Sequence, residues 1–183
     1  MAIKYNNALR TARSMLGTPY SEIDCIRLIV MIIRRTAGGD PSYRCEGTNW
    51  LWRSTENAKK YRHLEWTQEG IENARGGMLA FKRDGDDVHH VGFVTHEGTV
   101  IHSSSVYGMV VETLLDGSWH LLAGHRDLEV DARQTETDTE PEDGGEREEQ
   151  SPSPAEDVNA YTSMIRDDGT SIMLAGRWRV AED

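Results

Sequence analysis

The pattern of hydrophobic and polar positions changes period once along the chain. Asn7-Ala-Leu-Arg-Thr-Ala-Arg-Ser-Met-Leu-Gly17 reads as a short helix, with Asn7 able to cap its first amides and Gly17 suited to the left-handed residue past its end. Thr18-Pro19-Tyr20 then turns the chain. A second helix runs from Cys25 to Thr36, capped by Asp24, with Arg34 and Arg35 at the negative end of its dipole and Gly38-Gly39 closing it. Apolar residues surround most of this helix, which predicts a central, buried position. Between 40 and 76, Trp50, Trp52 and Trp66 stand among scattered charges and suggest short helices and loops around the core; the pattern assigns no strand there.

From Gly77 the period becomes alternating. Met78 to Phe81 is a strand and Asp84-Gly85 begins a turn. His89 to Thr95 and Thr99 to Ser104 form a hairpin around His96-Glu97-Gly98. Met109 to Leu114 is the next strand, Asp116-Gly117 turns, and Trp119 to Ala123 returns. Helices followed by an antiparallel meander predict an α+β fold, the helices packed on the sheet.

Charge divides the chain. The 183 residues carry a formal net charge of -11, which disfavours general nucleic-acid binding. Residues 131–157 hold eleven acidic and two basic residues, three of the five prolines, and no Val, Ile, Leu, Met, aromatic or Cys residue. Such a stretch cannot offset the entropy of ordering and reads as an acidic, disordered linker. The expected organisation is a folded unit over 1–130, the linker over 131–157 and a short module over 158–183, in which Asp167-Asp168-Gly169 joins two strands of a hairpin. The longest apolar run, Leu28 to Ile33, is six residues, so no membrane span is expected. Two cysteines, Cys25 and Cys45, make neither a disulfide framework nor an all-cysteine zinc site, and point to synthesis in a reducing compartment.

Cys25 is the most informative residue. The first turn of a helix offers partial positive charge that stabilises a thiolate, the nucleophilic form. A thiol nucleophile also needs an imidazole to move its proton, and a third polar group to orient that imidazole. If the hairpin turn holds three residues, opposed positions sum to 194, and His90 and His102 share one face as a diagonal pair. A two-residue turn would instead put His89 on the face of His102. Cys45, His120 and His125 read as structural or surface residues. A zinc site made from Cys25, His90 and His102 has neither a CxxC pair nor an HExxH helix in support, and no cofactor is implied.

These residues resemble the NlpC-type cell-wall peptidases of the papain superfamily. The pattern of that family begins with an alanine-rich helix and Gly-x-Pro-Tyr, then Asp-Cys; here stand Ala12-Arg-Ser-Met-Leu-Gly17-Thr-Pro19-Tyr20 and Asp24-Cys25. Its Pro-Gly-Asp-Leu strand corresponds to Gly76-Gly77-Met78-Leu79, its His-Val-Gly strand to His90-Val91-Gly92-Phe93-Val94, and its apolar-His strand to Ile101-His102-Ser103-Ser104. The order and spacing hold from about residue 8 to 115. The resemblance implies a papain-like fold and hydrolysis of peptidoglycan stem peptides between γ-D-glutamate and a diamino acid. It further implies Cys25 as nucleophile, His90 as general base and acid, and His102 as the orienting residue. Tyr20 and Asp24 match positions that help recognise the free amine of a stem peptide.

Three positions depart from the pattern: Ile26-Arg27 replaces Ser-Gly after the cysteine, the loop from Tyr20 to Asp24 is only Ser-Glu-Ile, and Met78 replaces the aspartate. The altered dipeptide keeps open a papain-like amidase or thioesterase acting on another substrate, and a catalytically degenerate structural part of a phage particle is the non-enzymatic alternative. The amino terminus carries no apolar segment of a secretory signal, so the expected setting is a phage or prophage protein. It would be made in the cytoplasm and reach the wall as a lysin or in a tail, with residues 158–183 meeting a wall or particle partner.

Overall fold

The computed structural model describes residues 2–55, 63–132, 161–165 and 171–175. The chain divides into two units, Met1–Thr135 and Glu136–Asp183. The first contains helices α1 (Tyr5–Arg13), α2 (Cys25–Arg35) and α3 (Thr48–Trp52), a 3-10 turn (Arg53–Thr55), and six strands. The strands are β1 (Leu64–Glu69), β2 (Leu79–Asp84), β3 (Asp87–Val94), β4 (Thr99–Ser104), β5 (Met109–Leu114) and β6 (Leu121–His125). They form one antiparallel sheet in the order β1-β6-β2-β3-β4-β5.

The cap on α2 is the one the sequence supplies: Asp24 Oδ1 accepts the Arg27 amide at 2.7 Å. Its buried residues, among them Leu28, Ile29, Ile32 and Ile33, join Leu79, Phe81, Val91, Phe93 and Ile101 of the sheet in the main core. The opposite face of the sheet buries a smaller cluster, Ala80, Val94, Val100, Trp119 and Leu122. Burial on both faces explains why β4 and β6 are buried along their whole length rather than at alternate residues.

α1 starts two residues before Asn7, at Tyr5, and Lys4 at its N-cap makes no side-chain cap. Tertiary packing replaces the expected cap: the Tyr5 ring stacks on Phe93 at 6.2 Å, and its hydroxyl accepts the His96 amide at 2.8 Å. Gly17 does take the left-handed conformation, at φ +80°. The segment after it is more than a turn, because it pairs with the free edge of β5. Gly17 N–H donates to the Val110 carbonyl, Val110 N–H to Thr18, and Tyr20 N–H to Gly108, at 2.8–2.9 Å. An edge that would otherwise invite pairing with another chain is thereby covered.

Two expectations for the sheet are corrected. Leu64–Glu69, left without a strand by the sequence pattern, is β1, paired with β6. Its burial alternates, but Glu65 and Glu69 on the open side of an edge strand mask the hydrophobic signal. Secondly, β6 does not hairpin with β5: after Asp116-Gly117 the chain crosses the sheet and pairs with β2, Leu79 opposite Ala123 and Phe81 opposite Leu121. The crossing pairs the free edge of β2 and leaves Trp119 only 3% exposed. A meander would have placed that indole on an edge.

Between β3 and β4, Phe93 faces Ile101 and Val94 faces Val100, which is the register of a three-residue turn. Thr95 and Thr99 close the turn through their hydroxyls at 2.6 Å, and Gly98 takes φ +74°. Gly92 lies where a Cβ would come 2.3 Å from Val100 Cγ1, 3.1 Å from the His102 Cβ and 3.1 Å from the Trp119 ring. The absence of a side chain there is what lets Trp119 reach His102.

His125, expected at the surface or a sheet edge, is 2% exposed. It accepts the Asp127 amide at Nδ1 (3.1 Å) and pairs through Nε2 with the Tyr43 hydroxyl (2.9 Å). Burial, then His63 and Arg126, hold its pKa down to about 3. His63 is also buried, its ring nitrogens lacking hydrogen-bond partners among the described residues, and it packs edge-on to Tyr43 at 5.0 Å. The periodic pattern could not show this aromatic cluster, because its members come from three distant segments.

In the second unit, β7 (Tyr161–Ile165) pairs antiparallel with β8 (Ser171–Ala175), Tyr161 opposite Ala175 and Ile165 opposite Ser171. Residues 133–157 of the linker expected over 131–157, the Asp167-Asp168-Gly169 turn and Arg177-Trp178-Arg179 lie outside the described residues. The Asp131 amide donates to the Gly76 carbonyl at 2.7 Å, so the first residue assigned to the linker still bonds the folded unit.

Two stability outcomes follow. Gly92→Ala should cost about 1–3 kcal/mol by overpacking, read as a lower urea midpoint; an unchanged midpoint would contradict the tight contact. The second concerns acid. A histidine whose folded pKa lies below its unfolded value of roughly 6.5 stabilises the fold fully above that value and progressively less below it. The urea midpoint should therefore fall between pH 7.5 and 5, and His125→Gln should shrink that difference. Equal midpoints for the wild type at the two pH values would contradict a neutral, buried His125.

Candidate active site

The site is assembled at the N-terminal end of α2, where it meets β3. With the Arg27 amide taken by Asp24 Oδ1 and the Leu28 amide by the Asp24 carbonyl, the first-turn amides left over are those of Cys25 and Ile26. Cys25 is 8% exposed. Its sulfur lies 3.8 Å from Thr48 Oγ1, and the backbone amides of Val91 and Ile26 are near enough to favour its charged form. Burial raises the thiol pKa, and the Asp24 carboxylate raises it further; Thr48 and the two amides oppose them without prevailing. The helix terminus is thus present as the sequence suggests, but burial outweighs it, so the resting group is a thiol rather than a thiolate.

His90 reaches the site by plain alternation along β3, on the same face as Gly92, which meets His102 and Trp119. The register with β2 shifts between Lys82, opposite His90, and Arg83, opposite Val88, so an extra residue, His89, is accommodated. That bulge turns Val88 into the main core beside Val91 and leaves the facing of His90 unchanged. His89 is exposed, Val91 points into the core, and His90 is half-buried. His90 Nε2 and His102 Nδ1 are 2.9 Å apart, and His102 Nε2 is 3.1 Å from Thr113 Oγ1 on β5. One tautomer set satisfies the chain: His90 donates from Nε2–H to His102 Nδ1, and His102 donates from Nε2–H to Thr113. That set leaves His90 Nδ1 as an unprotonated acceptor with no hydrogen bond among the described residues.

The rings are packed as well as bonded. Trp119 lies 5.5 Å from His90 and 5.3 Å from His102. Burial pushes the His90 pKa down to about 4, with the Lys82 and His89 charges adding to it. His102 is pushed down by burial, then by His90 and Lys82. The pair therefore rests neutral.

The structure brings His90 and His102 into direct contact and sets the Cys25 sulfur against the amide of the residue after His90. No hydrogen bond joins Cys25 to His90 among the described residues. Catalytic hydrogen bonds are often long before substrate binds, so the apo geometry leaves the pair available. Tyr20 lies close enough to be influenced by the site: burial, then Cys25 and Asp24, push its phenol pKa up. Asp24 caps the helix. Ser103, beside His102, donates to the Ile23 carbonyl and ties the loop before Cys25 to β4. Cys45 is also a free thiol, pushed up to about 11 by burial, its sulfur 3.6 Å from the Gly47 carbonyl. Among the described residues no group of three His, Cys, Asp or Glu side chains is arranged to hold a metal ion.

Sequence reasoning missed Thr48, Lys82, Ser103, Thr113 and Trp119. Thr113 had a legible signal, since strand parity places it on the face of His102, one step along β5. The others depend on long-range packing.

No protein-family model and no curated protein matches the chain. Among solved structures, the chain is similar to the NlpC/p60 domain of the peptidoglycan hydrolase SagA, with a TM-score of 0.48 and 17% identity, over 66% of this chain and 97% of that one.

Proposed function

We propose that the folded unit is a thiol peptidase acting on peptidoglycan stem peptides, with Cys25 as nucleophile, His90 as general base and acid, and His102 as the orienting residue. The observation that carries this reading is the hydrogen-bonded His90–His102 pair, whose His90 precedes Val91, the β3 residue whose amide neighbours the Cys25 sulfur. Sequence motifs around all three residues, in the order described above, supply the substrate class.

The chemistry runs as follows on these atoms. The Cys25 proton passes to His90 Nδ1 as the sulfur bonds the carbonyl carbon of the scissile amide. His90 Nε2–H stays on His102, which fixes the ring and shares the charge of the imidazolium. The Cys25 amide at the head of α2 is a candidate donor to the oxygen that becomes negative. Collapse of the adduct expels the amine, which takes the proton back from Nδ1, and leaves a thioester. Water, losing its proton to the same nitrogen, then attacks the thioester and releases the acid, and that proton returns to Cys25. Tyr20 and Asp24, which match the amine-recognising positions of the resembled family, would meet the free amine of the peptide. Because thiol and imidazole both rest neutral, the proton transfer belongs to the reaction rather than preceding it.

The test is digestion of purified peptidoglycan, with the released fragments identified by mass spectrometry. Wild type is expected to release stem-peptide fragments and Cys25→Ala none, with its fold preserved. His90→Ala should lower kcat/KM by on the order of 10²–10⁴-fold, His102→Ala by less, and His89→Ala scarcely at all. Lytic activity in Cys25→Ala, or loss in His89→Ala with His90→Ala active, would sink the assignment.

A further inference from the structure

The crossover from β5 to β6 does more than carry the chain across the sheet. Asp116 Oδ1 accepts both the amide (2.9 Å) and the hydroxyl (2.6 Å) of Ser118. Ser118 Oγ in turn accepts from Lys82 Nζ at 2.8 Å. The same ammonium sits 4.7 Å from the centroid of the Trp119 ring, and that ring packs against both His90 and His102. Lys82 is also the cross-strand partner of His90. Its cation is thus held in one place by a hydroxyl–carboxylate relay and an aromatic face, directly behind the histidine pair.

We propose that Lys82 is a positioning residue of this site: clamped by Asp116 and Ser118 against Trp119, its ammonium keeps an extra proton off the His90–His102 pair, so that the pair rests as the neutral donor–acceptor chain in which His90 Nδ1 is free to accept. This rests on the reading of His90 as the base. Around the pair stand Lys82 from β2, His89 from β3, Asp116 from the crossover, and Cys25 with Asp24 at the head of α2. Lys82 supplies the ammonium among them, its own pKa lowered by burial. Asp116, whose charge favours a proton on His102, is engaged by two hydrogen bonds from Ser118. A like charge nearby disfavours protonation, and a fixed one does so without reorganising. Both histidines show this influence in the expected direction, secondary to burial.

Ring-proton NMR titration of His90 and His102 tests the proposal without substrate. The set is wild type, Lys82→Met, Lys82→Gln and Lys82→Arg, each checked by thermal melting. Both neutral variants should titrate higher, by roughly half a unit or more, and Lys82→Arg should titrate as wild type. On peptidoglycan, the acid limb of kcat/KM should move the same way. Unchanged titration in the neutral variants overturns the proposal, as does a shift in Lys82→Met that Lys82→Gln does not reproduce, since that would assign the effect to packing. If the titrations move as expected while the wild-type protein releases no peptide, the role of Lys82 in the histidine pair stands and the peptidase reading falls.

Discussion

The register of β3 on β4 is the constraint on which the rest depends. The Thr95–Thr99 hydroxyl contact across a three-residue turn sets Phe93 opposite Ile101, and through that register His90 meets His102. A slip of one residue would turn every side chain of β3 to the other face. Gly92 adds a steric condition, because only a bare Cα lets Trp119 and His102 close over the strand. The bulge at His89 lies beyond His90 and turns Val88 into the main core, so the facing of His90 is set by the hairpin register alone. Hydrogen bond, register and glycine together convert a hairpin into one wall of the candidate site.

The second physical theme is burial outweighing local electrostatics. A helix N-terminus lowers a thiol pKa and an exposed imidazole titrates near neutrality, yet here both groups are held away from water. The Cys25 thiol is raised and both histidines are lowered. A low dielectric strengthens each hydrogen bond inside the site and makes an uncompensated charge costly. The arrangement suits a mechanism in which charge appears only as the nucleophile attacks.

Local chemistry was legible in the sequence and long-range packing was not. Asp24 as the cap of α2, Gly17 as a left-handed residue, and the diagonal His90–His102 pair all follow from neighbours within one hairpin or one helix turn. The start of α1 was misplaced because Tyr5 is fixed by Phe93 and His96, about ninety residues away. β1 was missed because its glutamates face the open side, and the crossover was read as a hairpin because Asp116-Gly117 signals a turn without saying where the chain goes. His125 was placed at the surface because nothing near it in sequence shows Tyr43. The candidate site divides the same way: Cys25, His90 and His102 carry motifs that read locally, whereas Thr48, Lys82 and Trp119 come to them from other segments.

The central claim is that Cys25 and His90 act as one proton-transfer unit. The most direct measurement is the rate of Cys25 alkylation by iodoacetamide, followed by mass spectrometry as a function of pH in wild type and His90→Ala. A neutral thiol–imidazole pair predicts labelling that rises from pH 7 towards 9, and that is slower at pH 7.5 in His90→Ala by on the order of tenfold or more. Equal rates in the two proteins would contradict the account, and so would a wild-type rate that is flat from pH 5 to 8, the mark of a preformed thiolate.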